Sequence, residues 1–292
     1  MAIFRKFIPI GFFFLFVVCA GCSTKEANYL PSQAQQQFLK ISSEEYNLSP
    51  VLKTAGKTLW VYLPLDQEIL SIKAGQNQST NSASVAQFSV QYINGKLDDK
   101  NFLFEYDIIP VTRSSANNSS ITTVYTEEFT KSYQNILSTI GRVYFNTQQP
   151  PDFIVLVIAD IRNGLEVKNT FLLEDFKKYQ TQILPYEEYI QRVLTESSGN
   201  PLIKDDKQGD HLGPQDIIWP NFLAQQIVNR IKFKYTQSDF KPQNAPSDEI
   251  IKIAAHVIQT YQFEDFLTVE LRDLRQEKSY SFGKSLINEI KE

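Results

Sequence analysis

Three features of this 292-residue chain predict an α+β fold. Asn94-Gly95 and Asn163-Gly164 are tight-turn pairs set among β-prone apolar runs, the pattern of hairpins. Between them, apolar residues at 121, 124, 125, 129, 133, 136, 137, 140 and 144 recur at helical spacing. Residues 152–161, "DFIVLVIADI", are nearly all apolar, as a central strand buried on both faces requires. Strand sets separated by helices imply antiparallel or mixed sheets with helices packed on one face, with room for two subdomains.

The elements follow in order. Residues 23–40 are polar and Gln-rich and read as a tether, helical at most toward its end. Folding is expected from near Val51, and "TLWVYLPL" (58–65) is a strand bounded by Gly56-Lys57. A polar loop (71–84) leads to a hairpin in which "FSVQYI" turns at Asn94-Gly95 into "NFLFEYDII", with Phe102, Phe104, Tyr106 and Ile108 on one face. After a second loop (113–120), the helix spans Ile121 to Phe145 and places Tyr125, Phe129, Tyr133 and Tyr144 on its core stripe. The apolar strand then turns at Asn163-Gly164 into "LEVKNTFLL".

Residues 174–196 read as two short helices, the second opened by Pro185 and carrying Tyr189, Ile190, Val193 and Leu194 on one side. An irregular loop (197–216) precedes a helix from Pro220 that buries Leu223, Ala224, Ile227, Val228, Ile231 and Tyr235. A linker (238–248) ends at Ser247, a candidate cap for the helix bearing Ile250, Ala254, Val257, Ile258 and Tyr261. The chain closes with a hairpin, in which Leu267, Val269 and Leu271 alternate with polar residues, and a short helix. By composition the chain divides into 1–21, a polar tether 22–50, an α+β domain 51–200, a loop, helix and linker 201–247, and a helix-hairpin-helix unit 248–292.

The first segment carries the strongest signal. Arg5-Lys6 precede an apolar run, Phe7 to Cys19, that ends in Ala20-Gly21. A basic start, a short apolar run and a small-residue boundary make a secretory signal. The run is broken by Pro9 and Gly11 and is shorter than the ~18–20 apolar residues of a membrane span. Cys19-Ala20-Gly21-Cys22 resembles a bacterial lipobox, whose consensus is Leu-Ala-Gly-Cys, with Cys in the first place instead of Leu. The resemblance implies removal of residues 1–21, acylation of Cys22, and membrane attachment through the N-terminal lipid. It further implies that Ser23, standing where Asp would retain the protein, directs it in a diderm host to the outer membrane, facing the periplasm. A lone acyl chain anchors weakly, whereas two or more hold stably.

Both cysteines, Cys19 and Cys22, fall at this boundary, so the mature chain has no disulfide, thiol nucleophile or thiolate metal site. Losing Arg5 and Lys6 leaves 27 basic against 33 acidic residues, a net charge near −6 without a clustered basic face for nucleic acid.

Motifs for nucleotide, zinc-protease or serine-hydrolase chemistry are missing, and no cofactor is implied. "KDDKQGDHLGPQD" gathers Asp205, Asp206, Asp210, His211 and Asp216, oxygen and imidazole donors that a cation such as calcium could use. Its spacing departs from the calcium-loop pattern, and a solvated acidic loop is the plainer expectation. His256 is expected at the rim of its helix. Glu187 and Glu188 diverge by about 100° on a helix and do not form a catalytic pair. Asp160 and Arg162 follow the buried strand as turn polar groups.

These readings lead to a non-enzymatic envelope lipoprotein that binds another envelope component in secretion, assembly or wall maintenance. The alternatives are an anchored carboxylate-based or cation-assisted hydrolase, and a carrier of an apolar small ligand.

Overall fold

A computed structural model describes residues 28–73, 88–111, 122–237, 240 and 245–290. The signal, Cys22, Ser23, the loop residues 74–84 and 113–120, and most of the linker 238–244 lie outside them. The described residues form an α+β fold with a five-stranded, a four-stranded and a two-stranded sheet. Among them no helix is long and apolar enough to cross a membrane.

The first lobe is built on β1 (Val51–Ala55), β2 (Thr58–Leu65), β7 (Phe153–Asp160), β8 (Leu165–Leu172) and β9 (Leu194–Gly199), in the order β1-β2-β7-β8-β9. β2 and β7 run parallel and the other neighbours antiparallel. All eight residues of β7 are buried, as the unbroken apolar run predicts. Its hairpin with β8 turns at Asn163-Gly164, where Gly164 takes φ +73°.

Four helices cover one face: α1 (Pro31–Tyr46), α2 (Glu127–Tyr144), α3 (Leu173–Gln180) and α4 (Tyr186–Arg192). The tether is therefore shorter than the sequence suggests. Ala34, Phe38 and Ile41, spaced i, i+4 and i+7 among the glutamines, are 0–5% exposed and belong to this core. Pro31 starts α1, and Asn47 ends it in the left-handed conformation. Arg142 on α2 clasps Glu45 on α1 through bonds of 2.6 and 2.8 Å.

The predicted helix 121–145 is shortened at its start. Thr126 caps it by accepting from Phe129 N at 3.2 Å. Thr122–Tyr125 instead forms β6, paired with β3 (Leu70–Lys73), and Tyr125 leaves the core stripe for the surface. Likewise Leu194 starts strand β9 and does not end a helix, so the irregular loop begins only at residue 200.

The second lobe is a sheet in the order β11 (Lys278–Gly283), β10 (Thr268–Asp273), β5 (Asn101–Pro110) and β4 (Phe88–Asp98), under α5 (Trp219–Thr236), α6 (Pro246–Thr260) and α7 (Lys284–Glu289). β4 (Phe88–Asp98) and β5 (Asn101–Pro110) form a hairpin, but not at Asn94-Gly95. The turn is Asp99-Lys100, both left-handed at φ 43° and 65°. Gly95 sits mid-strand because a Cβ there would come within 2.5 Å of Phe104 and 2.9 Å of Val228 on α5. Its role is close helix approach, and the longer strand gives Phe102 and Phe104 partners in the ladder.

The C-terminal hairpin β10 (Thr268–Asp273) and β11 (Lys278–Gly283) joins this sheet, with β10 parallel to β5. Residues 248–290 and the hairpin 88–110, far apart in sequence, thus share one core. All six predicted inward residues of α5 are buried. Ser247 does not cap α6, which follows Ala245; it is buried in the first turn. Leu267, just before β10, is exposed. An aromatic seam of Phe153, Phe222, Trp219 and Tyr261 joins the lobes, with ring centroids 5.0–5.6 Å apart from Phe153 to Phe222 and Trp219 and from Trp219 to Tyr261.

Because α1 is core and not leash, Phe38→Ala should cost about 3–5 kcal/mol in urea unfolding. A near-zero change would return the helix to the tether.

Candidate functional site

The acidic loop singled out in the sequence crosses the second face of the five-stranded sheet as a strap, residues 200–218. Ile203, Leu212 and Ile217 pack against the face formed by Tyr62, Val155, Val157 and Ala159. A segment with little regular structure must satisfy its backbone through side chains. Tyr62 OH donates to Asp206 O at 2.7 Å, Lys53 Nζ to Gly209 O at 2.5 Å, and Trp60 Nε1 to Gln215 O at 3.0 Å. Asp216 accepts from Lys57 N at 3.0 Å and Thr58 Oγ1 at 2.8 Å, while Ile217 N donates to the same hydroxyl.

His211 is the strap's central fastening. Its ring nitrogens face two carboxylates, Nδ1 to Asp206 at 2.5 Å and Nε2 to Glu166 on β8 at 3.0 Å. Only an imidazolium can donate to both. The side chain is 6% exposed and meets the Tyr62 ring edge-on at 5.5 Å. Burial pushes His211 down, but hydrogen bonds to Asp206 and Glu166 overcome it and hold its pKa above the ordinary histidine value. Burial pushes Asp206 up, but the His211 side chain and the N–H groups of His211, Asp210 and Gln208 hold it far below the usual carboxylate range.

Of the sequence candidates, Asp206 and His211 are thus brought together, with Glu166 as a partner the sequence did not suggest. Asp205 lies in a turn at φ 59°, and Asp216 caps the start of β2. Among the described residues no group of three or more His, Cys, Asp or Glu is arranged to hold a metal ion. With both ring nitrogens directed at carboxylates, His211 fastens the strap to the sheet.

The other polar residues also have local duties. Asp160 accepts from the N–H groups of Arg162 and Asn163 and from Asn163 Nδ2, closing the β7–β8 turn. Glu188 accepts from Arg192 Nε at 2.9 Å and Arg230 Nη2 at 2.6 Å, while Glu187 is exposed. Burial pushes Glu188 up, and the two guanidinium groups bring it below the usual value.

Within the first lobe Arg192 continues the network to Asp175 Oδ1 at 2.9 Å, and Tyr261 OH from the second lobe donates to Asp175 Oδ2 at 2.8 Å. Gln226 on α5 donates to Arg192 O. Above this junction lies a groove of about 680 Å³, its walls bearing Arg230, Lys234, Glu249, Lys252 and His256. Glu249 accepts from Lys234 at 3.2 Å and Lys252 at 3.5 Å, so one carboxylate in the groove serves two ammonium groups. Comparisons with protein-family models, curated proteins and solved structures returned no match.

Two predictions follow from the pairings. The raised His211 value means that its contribution is complete below the unfolded histidine pKa of about 6.5 and is lost as pH rises through the folded value. His211→Gln should therefore lose about 1.5–3 kcal/mol in urea at pH 6, with the gap to wild type closing in alkali. A gap independent of pH would contradict the imidazolium. At the lobe junction, Asp175→Ala leaves Arg192 buried without that partner and should cost about 3–5 kcal/mol by the same measurement.

Proposed function

We propose that this chain is a membrane-anchored lipoprotein of the cell envelope that binds another envelope component without catalysing a reaction. The observation that carries the reading is Cys22, in its lipobox-type setting, standing nine residues before a helix that belongs to the core. At ~3.3–3.6 Å per residue, the chain from Cys22 to Pro31 spans at most about 30 Å. A lipid on Cys22 would hold the folded part beside the bilayer instead of on a long flexible leash.

The groups best suited to chemistry support a binding role. His211, Asp206, Glu188, Asp175 and Asp160 are each engaged in hydrogen bonds that hold the fold. Their partners are other parts of the chain, set at the strap, the lobe junction and a hairpin turn. Ser23 supports outer-membrane sorting in a diderm host, with the domain in the periplasm.

In-cell crosslinking of full-length protein, followed by membrane fractionation, tests this reading. Wild type should sediment with membranes and yield one reproducible envelope partner. Cys22→Ser should leave the membrane fraction and lose or weaken that adduct. Membrane-held, folded wild type that captures nothing would count against it.

A further inference from the structure

The first lobe exposes a contiguous aromatic and aliphatic patch where α2, α3 and α4 meet. Ile183 is 73% exposed, Tyr186 57%, Tyr125 46% and Ile190 42%. Beneath them Tyr125 stacks on Phe129 at 4.4 Å, Phe129 on Tyr133 at 6.0 Å, and Tyr179 lies 6.0 Å from Tyr186. Tyr133 and Tyr179 both pack against the core of this lobe, and burial, with Tyr186, Tyr125 and Tyr179 nearby, pushes the Tyr133 phenol up to about 12. Scattered apolar side chains are ordinary on a surface, but a contiguous patch of rings and branched chains marks a contact site.

Ile183 is held out rigidly. Gln182 N donates to Tyr179 O and Ile183 N to Lys178 O, the paired bonds of a Schellman ending, with Gln182 left-handed at φ 60°. In that motif the residue at the Ile183 position commonly packs back on the helix. Here it remains the most exposed large apolar side chain among the described residues.

Two observations select the occupant. The N-terminal arm enters the fold at Tyr29, which pairs with Thr147 beyond the far end of α2. The 18 residues of α2 put about 27 Å between that point and the patch, so the arm and the patch lie at opposite ends of the helix. The border is acidic, with Glu127, Glu128 and Glu187 exposed, and Lys131 also exposed one turn beyond Glu127. An anionic bilayer or a second copy of the same border would meet like charge.

Resting on the binding role proposed above, we infer that the Tyr125–Ile183–Tyr186–Ile190 patch docks a protein of the envelope through an apolar surface bordered by lysine or arginine. Tyrosines supply broad contact area with little rotamer freedom to lose, and the acidic border sets orientation and rejects other partners.

The test places a photo-crosslinking phenylalanine analogue at Tyr186 or, as a control, at Leu274 on the β10–β11 turn, in full-length protein in cells. The expected result is an adduct at 186 and not at 274. The crosslinked partner peptide, read by mass spectrometry, should carry apolar residues flanked by Lys or Arg. Ile183→Glu, on a side chain too exposed to affect folding, should cut its yield about tenfold, and Glu187→Lys should also reduce it.

Equal adducts at both positions, insensitive to Ile183→Glu, would overturn the patch while leaving the binding role intact. No adduct at either position or by general crosslinking would overturn the binding role itself. Two purified arms with Cys22→Ser protein test the other occupants. Sedimentation with phosphatidylethanolamine–phosphatidylglycerol vesicles that Ile183→Glu abolishes would assign the patch to lipid. A dimer in sedimentation velocity that Ile183→Glu dissociates would assign it to self-association.

Discussion

The rest of the first lobe depends on β7 being buried on both faces. A strand reading Phe153-Ile154-Val155-Leu156-Val157-Ile158-Ala159 has no side to offer water, so both faces of its sheet must be covered. Helices α1 to α4 cover one face. The other is covered by a strap with only one short helical turn, Pro201–Ile203. Such a cover is held where side chains reach it, which explains the bonds from Lys53, Thr58, Trp60 and Tyr62. It also explains the charge at 205–216. Asp206 on the strap and Glu166 on β8 are tolerated at this buried contact because a protonated His211 stands between them. The cluster that most resembles a cation loop in sequence is a fastening in three dimensions.

Much of this architecture was legible in the sequence where one force dominates. The unbroken apolar run gave the central strand, Asn163-Gly164 its turn, and the 3.6-residue period the buried faces of α2 and α5. What escaped depended on contacts distant in the chain. Asn94-Gly95 has the chemistry of a turn, but Gly95 is needed for the approach of Val228. The α1 stripe is diluted by glutamines and becomes apparent only against the α2 face and the sheet. At the candidate site, Asp206 and His211 lay within one window. Glu166 could not be seen because 45 residues separate it from His211.

The two lobes are joined by chemistry that resists sliding. The seam of Phe153, Trp219, Phe222 and Tyr261 supplies apolar area, and Asp175, Arg192, Glu188 and Arg230 fix its register with directed bonds. A buried ion network tolerates little displacement, since parting any pair strands a charge. Rigid lobes, a short arm entering at one end of α2 and a tyrosine patch at the other suit a protein that presents a fixed face from a membrane.

The most direct measurement is the intact mass of the protein extracted from membranes in detergent. The envelope-lipoprotein reading predicts a chain beginning at Cys22 and carrying a diacylglyceryl group, with a further acyl chain where the host adds one. A mass showing residues 1–21 retained, or a mature end at any other residue without lipid, would contradict it.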